Sequence, residues 1–171
     1  MPRLHPRAVT VTAIVFAAAA TRLLPHLPNV TPVAALALFG GVYLADRRLA
    51  VLIPLLAMFL SDLVLGFHRG MFAVYVAMVV IAGLGMLIRA RVSPLRVGGM
   101  AVAGSVLFFL LTNIPGVSGH LYPLTLQGVM ESYTAALPFF RYTLLGDLAY
   151  TALLFGGFAL LKTRIPALSA Q

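Results

Sequence analysis

The residues most able to bind a charged or polar partner are four polar side chains that interrupt long apolar runs: Arg22, Asp62, Tyr75 and Asp147. If each run is a helix that rises about 1.5 Å per residue, all four lie at a similar depth in a membrane, near one face. A lone charge there costs several kcal/mol, so we expect these groups to face one another in one layer. We predict that Arg22 pairs with Asp62 or Asp147. Arg141 is expected to cap this layer from above.

Two interpretations of this layer remain open. A buried ion-pair network would fix how the helices pack against one another. Alternatively, ionisable groups inside a membrane often mark a functional site, and the layer would then form the floor of a binding cavity that opens outward. The two roles are compatible, because paired charges can hold helices together and also contact a solute.

A second group of polar residues lies in the connections between the apolar runs, all on one side of the membrane. We predict that these residues contact a solute as a lid: Asn29, His68, Asn113, His120 and Tyr122. Proline residues bracket two of the three connections, which favours ordered loops over loose tethers. The layer and the lid together form the predicted substrate-binding site.

The histidines of these connections do not have the spacing of a metal site. His26, His68 and His120 lie on three separate connections, without an HxxxH or HExxH pattern. The sequence also contains no Cys, no GxSxG motif and no glycine-rich phosphate loop. We therefore predict no metal, no cofactor and no catalytic residue. A membrane-embedded enzyme that uses the outer His, Asp and Tyr groups stays as an alternative.

The elements that position these residues are membrane helices. Of the 171 residues, 61% are hydrophobic and only 9% are charged, and the mean hydropathy is +1.03. Soluble domains carry about 25% charged residues, so the composition excludes a soluble protein. The net charge is +8, but the basic residues separate apolar runs instead of forming a patch, which argues against nucleic-acid binding. The length predicts one membrane domain over residues 1–171.

Six apolar runs are candidates for helices that cross a hydrocarbon core of about 30 Å. The predicted spans are Ala8–Leu24, Thr31–Ala45, Leu49–Leu65, Met71–Ile88, Val97–Asn113 and Pro138–Leu161. The segment Ile114–Leu137 is too polar to cross and is predicted to be an outer loop, in which Thr125–Ala136 forms a short surface helix. The motif Leu-Phe-Gly-Gly occurs at 38–41 and again at 154–157. We interpret both copies as close helix contacts.

The basic residues predict the orientation of these spans. Nine of them fall on one side if the spans alternate: Arg3, Arg7, Arg47, Arg48, Arg89, Arg91, Arg96, Lys162 and Arg164. The other side receives Arg22, Arg69 and Arg141. By the positive-inside rule both termini are cytoplasmic. The first run also resembles a secretory signal peptide, but Leu23 and Leu24 extend it past the cleavage-like stretch, so we favour a retained helix.

Several stretches resemble those of a family of small bacterial proteins assigned to transport: Pro25–Pro32, Ala37–Gly41, Ser61–Leu63, Phe108–Asn113 and Leu137–Arg141 with Gly146-Asp147. That family is similar to the substrate-binding S components of energy-coupling-factor (ECF) vitamin transporters. The resemblance implies an all-α bundle of six membrane helices in the bacterial inner membrane, with a vitamin site under the outer loops. It also implies that a small-residue face on the first helix, here Ala13 and Ala17, docks onto a coupling subunit that works with ATPases.

The function that this resemblance implies is capture of a small vitamin-like solute from the outer face. Cobalamin is the leading ligand, although the cysteine with which some cobalamin-binding relatives ligate cobalt has no counterpart here. The chain has no nucleotide-binding motif, so energy would come from a partner ATPase, from a gradient, or not at all. A scaffold that packs other membrane subunits through its Ala and Gly faces is a further alternative.

Overall fold

The computed structural model describes residues 5–116 and 122–169, and most of these residues are helical. The α-helices in these ranges are α1 (Pro6–Ala20), α2 (Val33–Tyr43), α3 (Arg47–Leu65), α4 (Met71–Leu87), α5 (Pro94–Thr112) and α6 (Leu126–Arg164). Short 3-10 turns occur at Thr21–Leu23, Arg89–Arg91 and Pro166–Leu168. The described ranges contain no strand. The predicted all-helical class is confirmed.

Local sequence signals account for where helices begin. Asp46 caps α3, because its Oδ1 accepts hydrogen bonds from the backbone N–H groups of Arg48 (2.8 Å) and Leu49 (2.9 Å). These bonds, that from Leu49 above all, lower the pKa of the Asp46 carboxyl group. Thr125 caps α6 in the same way, by accepting from the N–H of Gly128 at 3.1 Å. Each cap stands directly before the first residue of its helix.

Helix α2 lies at the centre of the bundle. All 11 of its residues are buried, and it contacts each of the other five α-helices. Its side chains are apolar on every side, as expected for a helix surrounded by protein instead of water. At about 1.5 Å per residue it is about 16 Å long, roughly half the thickness of a hydrocarbon core. The positions of the surrounding helices are therefore set by their packing on α2.

Glycines bring α2 and α4 into direct backbone contact. A Cβ atom at Gly85 would lie 2.5 Å from the carbonyl oxygen of Leu38. A Cβ atom at Gly41 would collide with the carbonyl of Ala82. The first Leu-Phe-Gly-Gly motif is therefore a close helix contact, as predicted. The prediction for the second motif is wrong, because a Cβ atom at Gly157 would meet no heavy atom within 4 Å.

Among the described residues, four helices are long and apolar enough to cross a membrane: α1 extended through Leu23, α3, α5 and α6. Helices α2 and α4 are also apolar, but they have only 11 and 17 residues. Each predicted span overlaps one of the six helices, in chain order. Four of the six therefore meet the length requirement on their own, and the other two are shorter than predicted.

Helix α6 departs most from the prediction, because the predicted surface helix and the second half of the predicted outer loop belong to it. It is a single helix of 39 residues, about 58 Å long, and Pro138 lies inside it. Its first third is held against the end of α5. Ser132 Oγ donates to the carbonyl of Asn113 at 2.8 Å, and Tyr133 OH donates to the carbonyl of Leu110 at 2.6 Å. These contacts support the helix across a proline that would otherwise favour a break.

One end of the bundle, which we call the basic end, collects eight described basic residues: Arg7, Arg47, Arg48, Arg89, Arg91, Arg96, Lys162 and Arg164. Arg89 has a specific role there. Its guanidinium donates to the backbone carbonyls of Gly41 (2.6 Å), Leu44 (2.6 Å) and Ala45 (3.0 Å). The last carbonyls of a helix lack partners within it and attract cations. Arg89 therefore caps the C-terminal end of α2 from the end of α4.

We expect Arg89→Gln to lower the free energy of unfolding by about 2 kcal/mol, because hydrogen bonds from a charged donor to partly buried carbonyls are lost. Unfolding of the purified protein in mixed micelles, titrated with SDS, measures this change. Arg91→Gln is the matched control, since Arg91 is exposed in the same 3-10 turn. Equal losses in the two variants would contradict the capping role.

Candidate functional site

Three of the four predicted layer residues come together at the end of the bundle opposite the basic end. Arg22 Nη1 lies 2.8 Å from Asp62 Oδ1 in an ion pair, although its N–H is not aligned as a hydrogen bond to that oxygen. Tyr75 OH donates to Asp62 Oδ2 at 2.9 Å. Arg22 also donates to Ser61 Oγ and, at 3.5 Å, to the carbonyl of Met58. The predicted pairing of Arg22 with Asp62 is confirmed.

This ion pair is closed off from solvent. The side chain of Asp62 is 1% exposed and that of Arg22 is 10% exposed. Arg22 lies in the 3-10 turn after α1, Asp62 in the last turn of α3 and Tyr75 in α4, so the contacts join three helices. None of the three residues lines the cavities described below. Their positions favour the first interpretation of the layer, a network that fixes helix packing.

Asp147 stands apart from this network. Its side chain is 3% exposed, and its Oδ2 accepts a hydrogen bond from Ser105 Oγ at 2.7 Å, which joins α6 to α5. One turn further along α6, Thr151 Oγ1 is buried and has no hydrogen-bond partner among the described residues. The alternative pairing of Asp147 with Arg22 does not form, because Arg22 is engaged by Asp62.

A cavity of about 630 Å³ opens at the end of the bundle opposite the basic end, and we call it the loop cavity. Three connections surround it, together with the end of α5 and the first half of α6. Four of the five predicted lid residues line it: Asn29, His68, Asn113 and Tyr122. The fifth, His120, lies outside the described residues. The volume is in the range of small-molecule sites, about 300–1,000 Å³.

The predicted position of Arg141 above the polar layer is wrong. Arg141 is exposed on α6, and its Nη2 donates to the hydroxyl of Tyr142 at 2.9 Å. The reason is the rotation of α6 about its axis. Phe140 and Thr143 take the positions that face the loop cavity, and each residue of a helix is turned by about 100° from the one before it.

Two Phe-Phe pairs supply much of the apolar lining of the loop cavity, and neither pair was among the predicted site residues. They are Phe108-Phe109 on α5 and Phe139-Phe140 on α6. The rings of Phe109 and Phe140 lie 4.9 Å apart between centroids. The signal that could have revealed them is the same dipeptide near the facing ends of two consecutive apolar runs.

The polar groups of the lining fall into two sets. Thr112 Oγ1 and Asn113 Nδ2 each donate to a backbone carbonyl one turn earlier, at 2.7 and 2.8 Å, so the Thr112 hydroxyl hydrogen and one of the two amide hydrogens of Asn113 are occupied. The Asn29 amide and the His68 imidazole are exposed and have no side-chain partner in the part of the chain described. Asn29 also has a φ of 62°, a conformation that Asn tolerates better than most residues. Asn29 and His68 are therefore the polar groups most available to a ligand.

A smaller cavity of about 110 Å³ lies beside the loop cavity. The two share Asn29, Phe108 and Thr143 in their linings, and Asp147 lines the smaller one. Of the two aspartates predicted for the site, only Asp147 therefore lies next to the cavity. No group of three His, Asp or Glu side chains that could hold a metal occurs among the described residues.

All of these features lie within one sequence family. The profile of DUF6580, a family of unknown function, matches residues 2–168. The chain belongs to the DUF6580 family. No curated protein and no solved structure matches it. The loop cavity, the Arg22–Asp62 pair and the basic end of this DUF6580 protein all fall inside the matched region.

Helix α1 of the DUF6580 protein carries the two alanines predicted to dock a partner. Ala13 and Ala17 are exposed, whereas Val11, Val15 and Ala18 of the same helix face the core. Small residues on an outward face allow another helix to approach closely. The described structure therefore leaves this face of α1 accessible, and docking itself stays a prediction.

Proposed function

We propose that this DUF6580 protein captures a small vitamin-like solute from outside the cell and that the loop cavity holds the solute. The observation that carries the proposal is the convergence of residues from three separate connections on one aromatic cavity. Asn29, His68 and Asn113 come from different connections or helix ends, yet all line it. An apolar cavity with a few placed polar groups is typical of small-molecule sites.

The orientation of the protein belongs to the same proposal. Eight described basic residues lie at the basic end, whereas the end with the loop cavity carries only Arg22, Arg69 and Arg141. If all six helices cross the inner membrane, as proposed here, the positive-inside rule gives cytoplasmic termini and an outward-facing loop cavity. The shortness of α2 is compatible with six crossings, because backbone surrounded by protein need not be helical across the whole hydrocarbon core.

The size and lining of the loop cavity indicate the class of solute. Neither Lys or Arg nor Asp or Glu is among its lining residues in the described chain, and phenylalanine rings dominate. A compact aromatic or heterocyclic vitamin suits this lining through ring stacking and a few hydrogen bonds. Cobalamin stays in the proposal as a candidate, and as a much bulkier molecule it would need the connections to open.

A coupling partner is part of the proposal and is supported by the exposed alanines of α1. Ala13 and Ala17 present a small surface on the outside of the bundle, as a helix of a coupling subunit would require. In this arrangement the DUF6580 protein binds the solute and a separate ATPase module supplies the energy.

We expect one compound in a panel of vitamins and cobalamins to raise the melting temperature of the detergent-purified protein. His68→Ala is expected to weaken binding of that compound by about three- to tenfold, the value of one hydrogen bond. His26→Ala is the matched control, because His26 is exposed at the same end, bonds the carbonyl of Leu24 and does not line the cavity.

Three outcomes would contradict solute capture in the loop cavity. The first is a panel in which no compound changes the melting temperature. The second is an equal loss of binding in His26→Ala and His68→Ala, which would place the effect outside the cavity. The third is turnover of the compound that His68→Ala abolishes while binding persists, and this result would favour the membrane-embedded enzyme.

A further inference from the structure

A second cavity, of about 440 Å³, lies at the basic end, and we call it the basic pocket. Three cationic side chains from different parts of the bundle line it: Arg7, Arg89 and Lys162. Arg7 comes from the first turn of α1, Arg89 from the turn after α4 and Lys162 from the last turn of α6. The ring of Tyr43, at the end of α2, lies between them.

The cations of the basic pocket are held in place by aromatic and backbone contacts. Arg7 Cζ lies 5.6 Å and Lys162 Nζ lies 5.4 Å from the centroid of the Tyr43 ring, so the two charges share one ring. Arg89 is fixed by the carbonyls at the end of α2. The fold therefore brings the like charges of the pocket together.

The positive charge of the basic pocket is only partly balanced by the described chain. None of the residues lining the pocket is Asp or Glu. Asp46, the acid nearest in sequence to the end of α2, attracts Arg89 but does not line the pocket, so Arg7 and Lys162 have no acidic partner among the described residues. Arg7 Nε is buried and has no hydrogen-bond partner among the described residues. A buried charged donor without a partner costs free energy, which a bound anion would recover.

We propose that the basic pocket binds the phosphate headgroup of an anionic phospholipid. Arginine and lysine side chains together are the usual ligands of a phosphate group, and basic pockets between helix ends on the cytoplasmic side suit lipid headgroups. The rim can also hold acyl chains: Val92 lines the pocket and is 41% exposed, and Ile165, close to Lys162 in sequence, is 45% exposed. This proposal rests on the orientation proposed above, but it does not depend on what the loop cavity binds.

The experiment is native mass spectrometry of the full-length protein in detergent, titrated with phosphatidylglycerol or with phosphatidylcholine of the same acyl chains. We expect phosphatidylglycerol to bind more tightly. Arg7→Gln and Lys162→Gln should each weaken that binding by about fivefold, since one basic side chain contributes about 1 kcal/mol near an anionic lipid. Lys162→Arg should retain it. A melting curve for each variant confirms that it is folded.

Arg164→Gln is the matched control, because it removes the same charge at the same end but from an exposed residue outside the pocket lining. Equal affinity for the two lipids would overturn the proposal. So would a loss of phosphatidylglycerol affinity in Arg164→Gln as large as that in Lys162→Gln, because the lipid would then be attracted to the overall charge of this end and not to the pocket.

A further titration uses inorganic phosphate in place of the lipid. Tighter binding of phosphate than of phosphatidylglycerol, with the same dependence on Arg7 and Lys162, would identify free phosphate as the ligand and would also overturn it.

Discussion

Replacing Asp62 by Asn is expected to lower the free energy of unfolding by about 3–5 kcal/mol, the cost of breaking a buried ion pair from one side. The variant leaves Arg22 buried opposite a neutral amide, and Tyr75 loses a charged acceptor. Arg22→Leu should cost a similar amount, because it leaves the Asp62 carboxylate unpaired. SDS titration of the purified protein in mixed micelles measures both changes.

Asp147→Asn is the matched control for this prediction. Asp147 is as deeply buried as Asp62, but its described partner is the neutral hydroxyl of Ser105. The amide oxygen of Asn can still accept that bond, so we expect a change within about 1 kcal/mol. In the double variant Arg22→Leu/Asp62→Asn, the two losses should be less than additive, with a coupling of at least about 1 kcal/mol. Additive losses, or equal costs at positions 62 and 147, would contradict the ion-pair assignment.

Gly41→Val is expected to cost at least about 3 kcal/mol of unfolding free energy or to prevent folding altogether. A Cβ atom there would collide with the backbone carbonyl of Ala82 on α4. Backbone cannot change rotamer to relieve the contact, so α2 and α4 would have to separate, and α2 supports the whole bundle. Gly41→Ala is a milder variant that should still fold and should lose stability in the same direction. The measurement is again unfolding in mixed micelles.

The second Leu-Phe-Gly-Gly motif supplies the control for this prediction. Gly157→Val introduces the same side chain in the same local sequence, but a Cβ atom there has no neighbour within 4 Å. We expect a change within about 0.5 kcal/mol, as for most exposed substitutions. If Gly41→Ala and Gly157→Ala behave alike, the close packing of α2 on α4 is not a major source of stability.

The structure separates two roles that one polar layer was expected to combine. Arg22, Asp62 and Tyr75 hold three helices together and are closed to solvent. The cavity lies beside them and is lined by phenylalanine rings, amides and hydroxyls. The residues that stabilise the bundle and the residues that line the cavity can therefore be mutated separately. Variants of the lining residues test solute capture and leave the ion pair intact.

Much of the helix order could be predicted from hydropathy, but helix ends could not. Each of the six apolar runs forms one helix. Whether a segment is buried in a membrane or a core depends mainly on how apolar its own residues are, and this can be read from a short stretch of sequence. The extent of α6 was missed, since Ser132 and Tyr133 stabilise its first third through carbonyls of α5, far away in sequence. A window of local sequence does not contain such contacts.

Part of the candidate site could also be predicted, because it follows from the order of the helices. Alternation of the helices places the connections of Asn29, His68 and Asn113 at one end, and the loop cavity does collect them. The face of a helix on which a given residue lies could not be predicted in this way. Arg141 and its neighbour Phe140 are adjacent in sequence, yet only Phe140 lines the cavity.

The sequence by itself determined the helical class, the order of the helices, the concentration of basic residues at one end and the need of Arg22 for an acidic partner, Asp62 or Asp147. These depend on local hydropathy and on the cost of leaving a charge unpaired among apolar residues. Only the tertiary structure decided that Asp147 lies beside the cavity, that Arg141 points away from it, and that Arg7 and Lys162 meet over Tyr43. The physical reason is that the rotation of each helix about its axis is set by close packing on α2, which joins residues far apart in the chain.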